Sequence, residues 1–227
     1  MKKINTLKTS KSKSLSGIIN VPGDKSISHR ALIFASLCYG CSEITGLLEA
    51  EDVLNTLKSL RKLGVKIIKK NSIYLVYGNG GFYKKPISAL NFGNSGTGVR
   101  LFSGLLVSKN ISATLIGDKS LMKRPMNRII KPLEKMGANL KHAMGYLPIQ
   151  IEKSNFLYAN ILEEQLGSAQ VKSAIILASL DTKGTTVIKE LKLSRNHSEI
   201  LLKYLGANIR IEKKKLTKKF RLLAQQV

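Results

Sequence analysis

A chain of 227 residues with 43% hydrophobic side chains has enough length and apolar content for one large or two small domains, which excludes disorder throughout. No run approaches the roughly 18 apolar residues of a membrane span, so a soluble, cytoplasmic protein without a membrane partner is expected. The net charge of +24 suits acidic partners, but the excess is mostly lysine, dense in Lys2–Lys13 and Lys213–Lys219, and aromatics are 6% with no tryptophan. Nucleic-acid readers add arginine forks and stacking rings to their charge, so no nucleic-acid partner is expected.

In chain order, the basic, serine-rich residues 1–16 lack the apolar stretch of a secretory signal. Pro22-Gly23-Asp24-Lys25-Ser26-Ile27-Ser28-His29-Arg30 then joins a glycine turn to an apolar helix that runs to Leu37. Lys25, Ser26, Ser28 and Arg30 surround the first helical turn, where backbone N–H groups lack partners and the helix dipole is positive. Such a place suits a phosphate or carboxylate. The same residues also allow a plainer reading, with Asp24 or Ser26 as a cap and Lys25 and Arg30 as surface charges. Cys38 and Cys41 form a C-x-x-C that reads as two buried thiols near the helix end. There are no other cysteines, and His29, His142 and His197 do not cluster with ligand spacing, so no metal is expected.

A short strand at 43–45 and a helix over 53–63 follow, the latter ending at Gly64, and a further strand lies at 73–77. The second apolar helix opens at Asn91-Phe92-Gly93-Asn94-Ser95-Gly96-Thr97-Gly98, whose glycines permit close approach to the main chain. It is not a Walker A loop, because no Gly-Lys-Ser/Thr closes it. After a strand at 113–116, Lys123-Arg124-Pro125 leads a helix ending at Gly137, with Pro125 expected at its first position. Cations at a helix start cost stability unless an anion joins them, so Arg124 is read as facing a ligand and Arg128 as its exposed partner. A strand at 147–151 comes next. The third apolar helix opens at Gly167-Ser168-Ala169-Gln170, followed by a strand at 185–188. Ser194-Arg195-Asn196-His197 begins the last helix, which ends at Gly206.

The helix starts at Ser28, Ser95 and Ser168 align, each with a basic residue shortly inside: Arg30, Arg100 and Lys172. The second helices align through Gly64, Gly137 and Gly206 at the C′ position. The period is about 70 residues, longer than solenoid repeats. Each unit reads as helix, strand, helix and two strands, giving an α/β domain built by triplication. Acidic residues number 14, and none marks a general acid beside the helix starts; Asp24 and Asp118 read as turn or cap residues. The chain is equipped to bind anions rather than to move protons.

Four ordered motifs, Gly23–Arg30, Gly93–Thr97, Lys123–Met126 and Ser168–Ser173, spread over about residues 17–210, resemble the EPSP synthase (3-phosphoshikimate 1-carboxyvinyltransferase) family. The resemblance implies transfer of the enolpyruvyl group of phosphoenolpyruvate to the 5-hydroxyl of shikimate 3-phosphate, in the shikimate pathway to aromatic amino acids. It implies no cofactor, and a monomer at full length. Carried over by motif, Lys25 is the catalytic residue touching both substrates. Shikimate 3-phosphate falls to Lys25, Ser26, Arg30, Ser168, Ala169, Gln170, Ser194 and Arg195, and phosphoenolpyruvate to Lys25, Asn94, Gly96, Arg124 and Gln170. The family fold is an inside-out α/β barrel of two domains, each of three βαβαββ repeats. Residues 1–20 are then the first segment of the other domain, 21–210 the three-repeat substrate-binding domain, and 211–227 a basic crossover or divergent tail. Because the chain has about half the family's usual length, it is expected to be a fragment carrying the shikimate half-site, inactive alone; the family's proton-transfer acids lie in the other half. The alternatives are a UDP-N-acetylglucosamine enolpyruvyl transferase-like enzyme and a non-catalytic anion- or RNA-binding module.

Overall fold

The computed structural model describes residues 8–12, 14–214 and 217–224. Parts of both lysine-dense ends, at residues 1–7, 13, 215–216 and 225–227, lie outside the described residues. The elements are α1 (Lys25–Leu37), β1 (Tyr39–Thr45), α2 (Glu51–Lys62), β2 (Lys66–Lys70), β3 (Ile73–Asn79), β4 (Leu90–Asn91), α3 (Gly96–Ser108), β5 (Ala113–Ile116), a 3-10 turn (Leu121–Lys123), α4 (Asn127–Lys135), β6 (Asn139–Ala143), β7 (Tyr146–Glu152), β8 (Ile161–Glu164), α5 (Ala169–Ser179), β9 (Gly184–Glu190), α6 (His197–Tyr204), β10 (Ile209–Lys214) and β11 (Thr217–Ala224).

Three sheets repeat one strand order. The second runs β4-β5-β7-β6 and the third β8-β9-β11-β10, with β4–β5 and β8–β9 parallel and the remaining pairs antiparallel. The first runs β1-β3-β2; among the described residues no strand precedes α1. The second and third units are thus βαβαββ, and the expected helix-strand-helix-strand-strand order gains a leading strand in each. Pairing of β11 with β9 and β10 carries the third sheet to Ala224, into the stretch expected as a crossover or tail.

Two kinds of helix serve the sheets. In α2, Val53, Thr56, Leu57 and Leu60 are buried, the i, i+3, i+4, i+7 stripe of a helix with one face on the core. In α3 every residue except Arg100 is buried, as befits a helix packed on all sides. Serines inside α3 and α5 are satisfied by their own helices: Ser103 Oγ donates to Val99 O and Ser179 Oγ to Ile175 O. The inner helices α3 and α5 run parallel, because contacts match like with like along their length. Gln170 meets Thr97 near the N-termini, Gly104 abuts Ala174 in the middle, and Ser108 meets Asp181 at the C-terminal ends.

The outer helices end as their glycines predict. Gly64, Gly137 and Gly206 have φ of 89°, 93° and 92°, and the following N–H groups of Val65, Ala138 and Ala207 reach back to Leu60, Leu133 and Leu202. This is the Schellman closure, three times over. Two expectations are corrected. Pro125 is not the first residue of its helix: α4 begins at Asn127, because Arg124 ahead of the proline is extended and Met126 N is drawn to Gly145 O at 2.7 Å. Cys41 is exposed rather than buried, since β1 is an edge strand with a mostly exposed face; Cys38 is half-buried, and both thiols are free.

Candidate functional site

Capping residues set the three inner helix starts. Asp24 Oδ1 accepts from Ile27 N at 2.7 Å, Ser95 Oγ from Gly98 N at 3.0 Å and Ser168 Oγ from Val171 N at 3.4 Å. The structural equivalent of Ser95 and Ser168 is therefore Asp24, and the alignment on Ser28 slips by one helical turn. None of α1, α3 and α5 has an acid in its first turn, whereas α2 has Glu51 and Asp52 and α6 has Glu199. Asp24 gives α1 one carboxylate, at its N-cap, whereas α3 and α5, capped by serines, leave the positive end of their dipoles uncompensated by carboxylates of their own.

Side chains tie these starts together. From α1, Arg30 is buried, donating from Nε to Ser198 Oγ at 2.7 Å, from Nη1 to Ser26 O at 2.9 Å and from Nη2 to Ser173 Oγ at 2.8 Å. Gln170 is held from both sides, its Oε1 accepting from Arg100 at 2.5 Å and its Nε2 donating to Thr97 Oγ1 at 2.9 Å. Arg124 donates through Nη2 to Asn94 Oδ1, and Asn94 Nδ2 donates to Asp118 at 2.9 Å. Asp118 also caps the 3-10 turn through Leu121 N at 2.7 Å. A Cβ on Gly96 would stand 3.0 Å from Arg100 Nη1 and 3.4 Å from Arg124 Nη1, so the glycine keeps the space between those guanidiniums open. Lys25, half-exposed, pairs with Asp52 at 2.9 Å.

A cleft of about 700 Å³ opens at the start of α5, lined by Arg128, Leu166, Gly167, Leu193 and the expected Ser168, Ala169, Gln170, Ser194 and Arg195. Lys25, Ser26, Arg30, Asn94, Gly96 and Arg124 do not line it; Gln170, through Thr97 and Arg100, links it to the start of α3. An adjoining groove of about 710 Å³ between α4 and β8 shares Arg128 and Leu166, but the starts of α1 and α3 do not reach it. Like charges crowd around the cleft. Burial first and the Arg195 guanidinium second lower the proton affinity of Arg30, and burial with Arg128 and Arg124 does the same to Arg100. An anion set among them would relieve both repulsions.

Arg100 was not singled out as a site residue. Its signal is its place one turn into a glycine-opened helix, where a lone cation is the one α3 residue not buried. Lys172, its counterpart in the third unit, does not face the cleft: it is fully buried against Glu190 and Glu199. Asp52 also escaped notice, because it belongs to the outer helix.

Behind the starts, His29 is buried, with Nδ1 2.7 Å from Thr56 Oγ1 and Nε2 3.3 Å from Ser95 Oγ. Burial pushes its pKa down from 6.5 to about 4. The folded value lies below the unfolded one, so the unfolded chain takes the proton first; stability present above pH 6.5 is lost as pH falls toward 4. Between pH 6.5 and 5 the loss from His29 is about 2 kcal/mol. Denaturant titrations across that interval are expected to show it, and His29→Gln to flatten it; equal slopes for both chains would refute the assignment.

Comparisons with known proteins bear on the family and the fold. A family profile described as EPSP synthase (3-phosphoshikimate 1-carboxyvinyltransferase) matches residues 9–220. A 3-phosphoshikimate 1-carboxyvinyltransferase from Ruthia magnifica is 47% identical over 204 residues, covering 89% of this chain and 47% of the relative. One from Bartonella henselae is 45% identical over 215 residues, covering 94% and 49%. The solved EPSP synthase from Acinetobacter baumannii superposes with a TM-score of 0.82 at 39% identity, covering 92% of this chain and 48% of that one. The chain spans about half the length of the curated relatives it matches.

Proposed function

Because this chain belongs to the EPSP synthase family, we propose that it supplies the shikimate 3-phosphate half-site of an enzyme that transfers the enolpyruvyl group of phosphoenolpyruvate to the 5-hydroxyl of shikimate 3-phosphate, releasing phosphate. The observation that carries this reading is the crowding of Arg30, Arg100, Arg124, Arg128 and Arg195 around inner helices whose first turns hold no acid. Both substrates are polyanions, and the reaction passes through a tetrahedral intermediate that keeps their charges close together. Preorganised cations and N–H donors serve such a reaction by positioning and by neutralising charge.

In this reading Ser168, Ala169, Gln170, Ser194 and Arg195 hold shikimate 3-phosphate in the cleft, with Arg30, Ser26 and Lys25 closing its other side. Asn94, Gly96, Arg124 and Gln170 form the phosphoenolpyruvate side. Lys25 stands between the two and leaves Asp52 to touch both substrates. The exposed Leu15, Ile18 and Ile19 support reading residues 1–20 as the first segment of a second domain. No helix among the described residues is long and apolar enough to cross a membrane, and a monomeric, cytoplasmic enzyme is the reading we adopt.

Isothermal titration of the purified chain with shikimate 3-phosphate is expected to give saturable binding that weakens as salt is raised. Added phosphoenolpyruvate is expected to release no phosphate from this chain alone. Absence of both binding heat and a thermal shift would sink the half-site, while salt-sensitive RNA binding in its place would favour a nucleic-acid module.

A further inference from the structure

Lys172 lies one turn into α5, fully buried, with Nζ 3.0 Å from Glu190 Oε1 and 2.6 Å from Glu199 Oε1. Both carboxylates are buried as well. Taking three charges out of water is expensive, and apolar side chains of similar volume would hold α5, β9 and α6 together at least as well. The cluster is better explained by what it touches. Glu190 Oε1 also accepts from Ser194 N at 3.1 Å and Ser194 Oγ at 2.5 Å, fixing the segment between β9 and α6 that forms one wall of the cleft. Glu199 follows Ser198, whose Oγ receives Arg30 Nε and meets Ser173 Oγ at 2.6 Å. Lys172 and Arg30 balance Glu190 and Glu199, so the buried group is neutral as a set. Arg195, on the exposed side of the same segment, then presents its charge to the cleft.

We propose that Lys172, acting through Glu190, is a positioning residue that fixes the Ser194–Arg195 segment opposite Ser168–Gln170 and thereby sets the affinity of the cleft for its anion. The inference rests on the shikimate 3-phosphate reading for the choice of probe. The order of the segment itself is measured without any ligand.

The test uses the full chain, Glu190→Gln and Lys172→Met. Should Lys172→Met fail to fold with two carboxylates left buried, the paired variant Lys172→Met/Glu190→Gln, which removes one charge of each sign, replaces it. Amide hydrogen exchange at Ser194 is compared with exchange at Ile176 inside α5, and shikimate 3-phosphate affinity is measured by titration calorimetry. The expected result is exchange at Ser194 accelerated at least about tenfold with Ile176 unchanged, and an affinity weakened at least about tenfold, the scale of a hydrogen bond to a charged group. A merely structural role would speed both amides together and leave affinity intact in the folded variants; that result overturns the proposal. If the wild-type chain ignores shikimate 3-phosphate while Ser194 still loosens selectively, positioning stands and the substrate reading falls.

Discussion

Gly104→Val is expected to destabilise the chain by about 3 kcal/mol or more, and Gly104→Ala by about 2 kcal/mol. The cause is backbone contact: a Cβ at 104 would stand 2.8 Å from the Ala174 carbonyl carbon and closer still to its oxygen. A flexible side chain can swing away from such a clash, but a carbonyl inside α5 moves only with its helix. Gly206 makes the control. Its φ is 92° but a Cβ there would meet nothing within 4 Å, so Gly206→Ala carries only the left-handed backbone penalty of about 1 kcal/mol. Urea midpoints for the three variants check the order, and a Gly104→Ala chain as stable as wild type would contradict the close approach of α3 and α5. Function should follow stability here. Spreading the two helices pulls Gln170 away from Thr97 and Arg100, so shikimate 3-phosphate affinity is expected to fall even where the variant still folds.

Arg30→Met is expected to weaken shikimate 3-phosphate binding more than about 100-fold and to cost about 3 kcal/mol of stability. Two effects combine. Within the protein, the guanidinium joins α1 to α5 through Ser173 and to the start of α6 through Ser198, and it offsets the buried Glu199. Toward the ligand, it is the buried cation already strained by Arg195, so an anion gains both a charge partner and relief of that repulsion. Arg30→Lys separates the two. An ammonium keeps the charge but cannot reach Ser26, Ser173 and Ser198 at once, so stability should recover in part while affinity stays at least about tenfold weak. Calorimetric affinity and thermal midpoint, read on the same samples, decide the matter. Wild-type affinity in Arg30→Met would remove Arg30 from the site.

The helix starts at Lys25, Gly96 and Ala169 and the closures at Gly64, Gly137 and Gly206 were legible because capping is local chemistry, written within a few residues. The resemblance drew on the same short motifs. What escaped has a common character. Strand β4 spans two residues, too short for any periodicity to register, and β8, no shorter than the strand at 113–116, ends in Glu163 and Glu164 where a β-prone run would be apolar or β-branched. The repeat alignment slipped by a turn because serines resemble one another, while the true equivalence of Asp24, Ser95 and Ser168 lies in which oxygen accepts the helix N–H.

The sequence by itself determined that this is a triplicated α/β chain with anion-seeking helix starts, since propensity, capping and charge depend on neighbours along the chain. Only the tertiary structure decided where each cation points. Arg30, Arg100 and Lys172 look alike as basic residues near the start of an apolar helix, yet Arg30 locks three elements, Arg100 holds Gln170 and Lys172 turns inward to Glu190 and Glu199. The physical reason is that a cation withdrawn from water turns to whatever acceptors can satisfy it, hydroxyl, carboxamide or carboxylate, and Ser173, Ser198, Gln170, Glu190 and Glu199 come from elements other than the cation's own helix start.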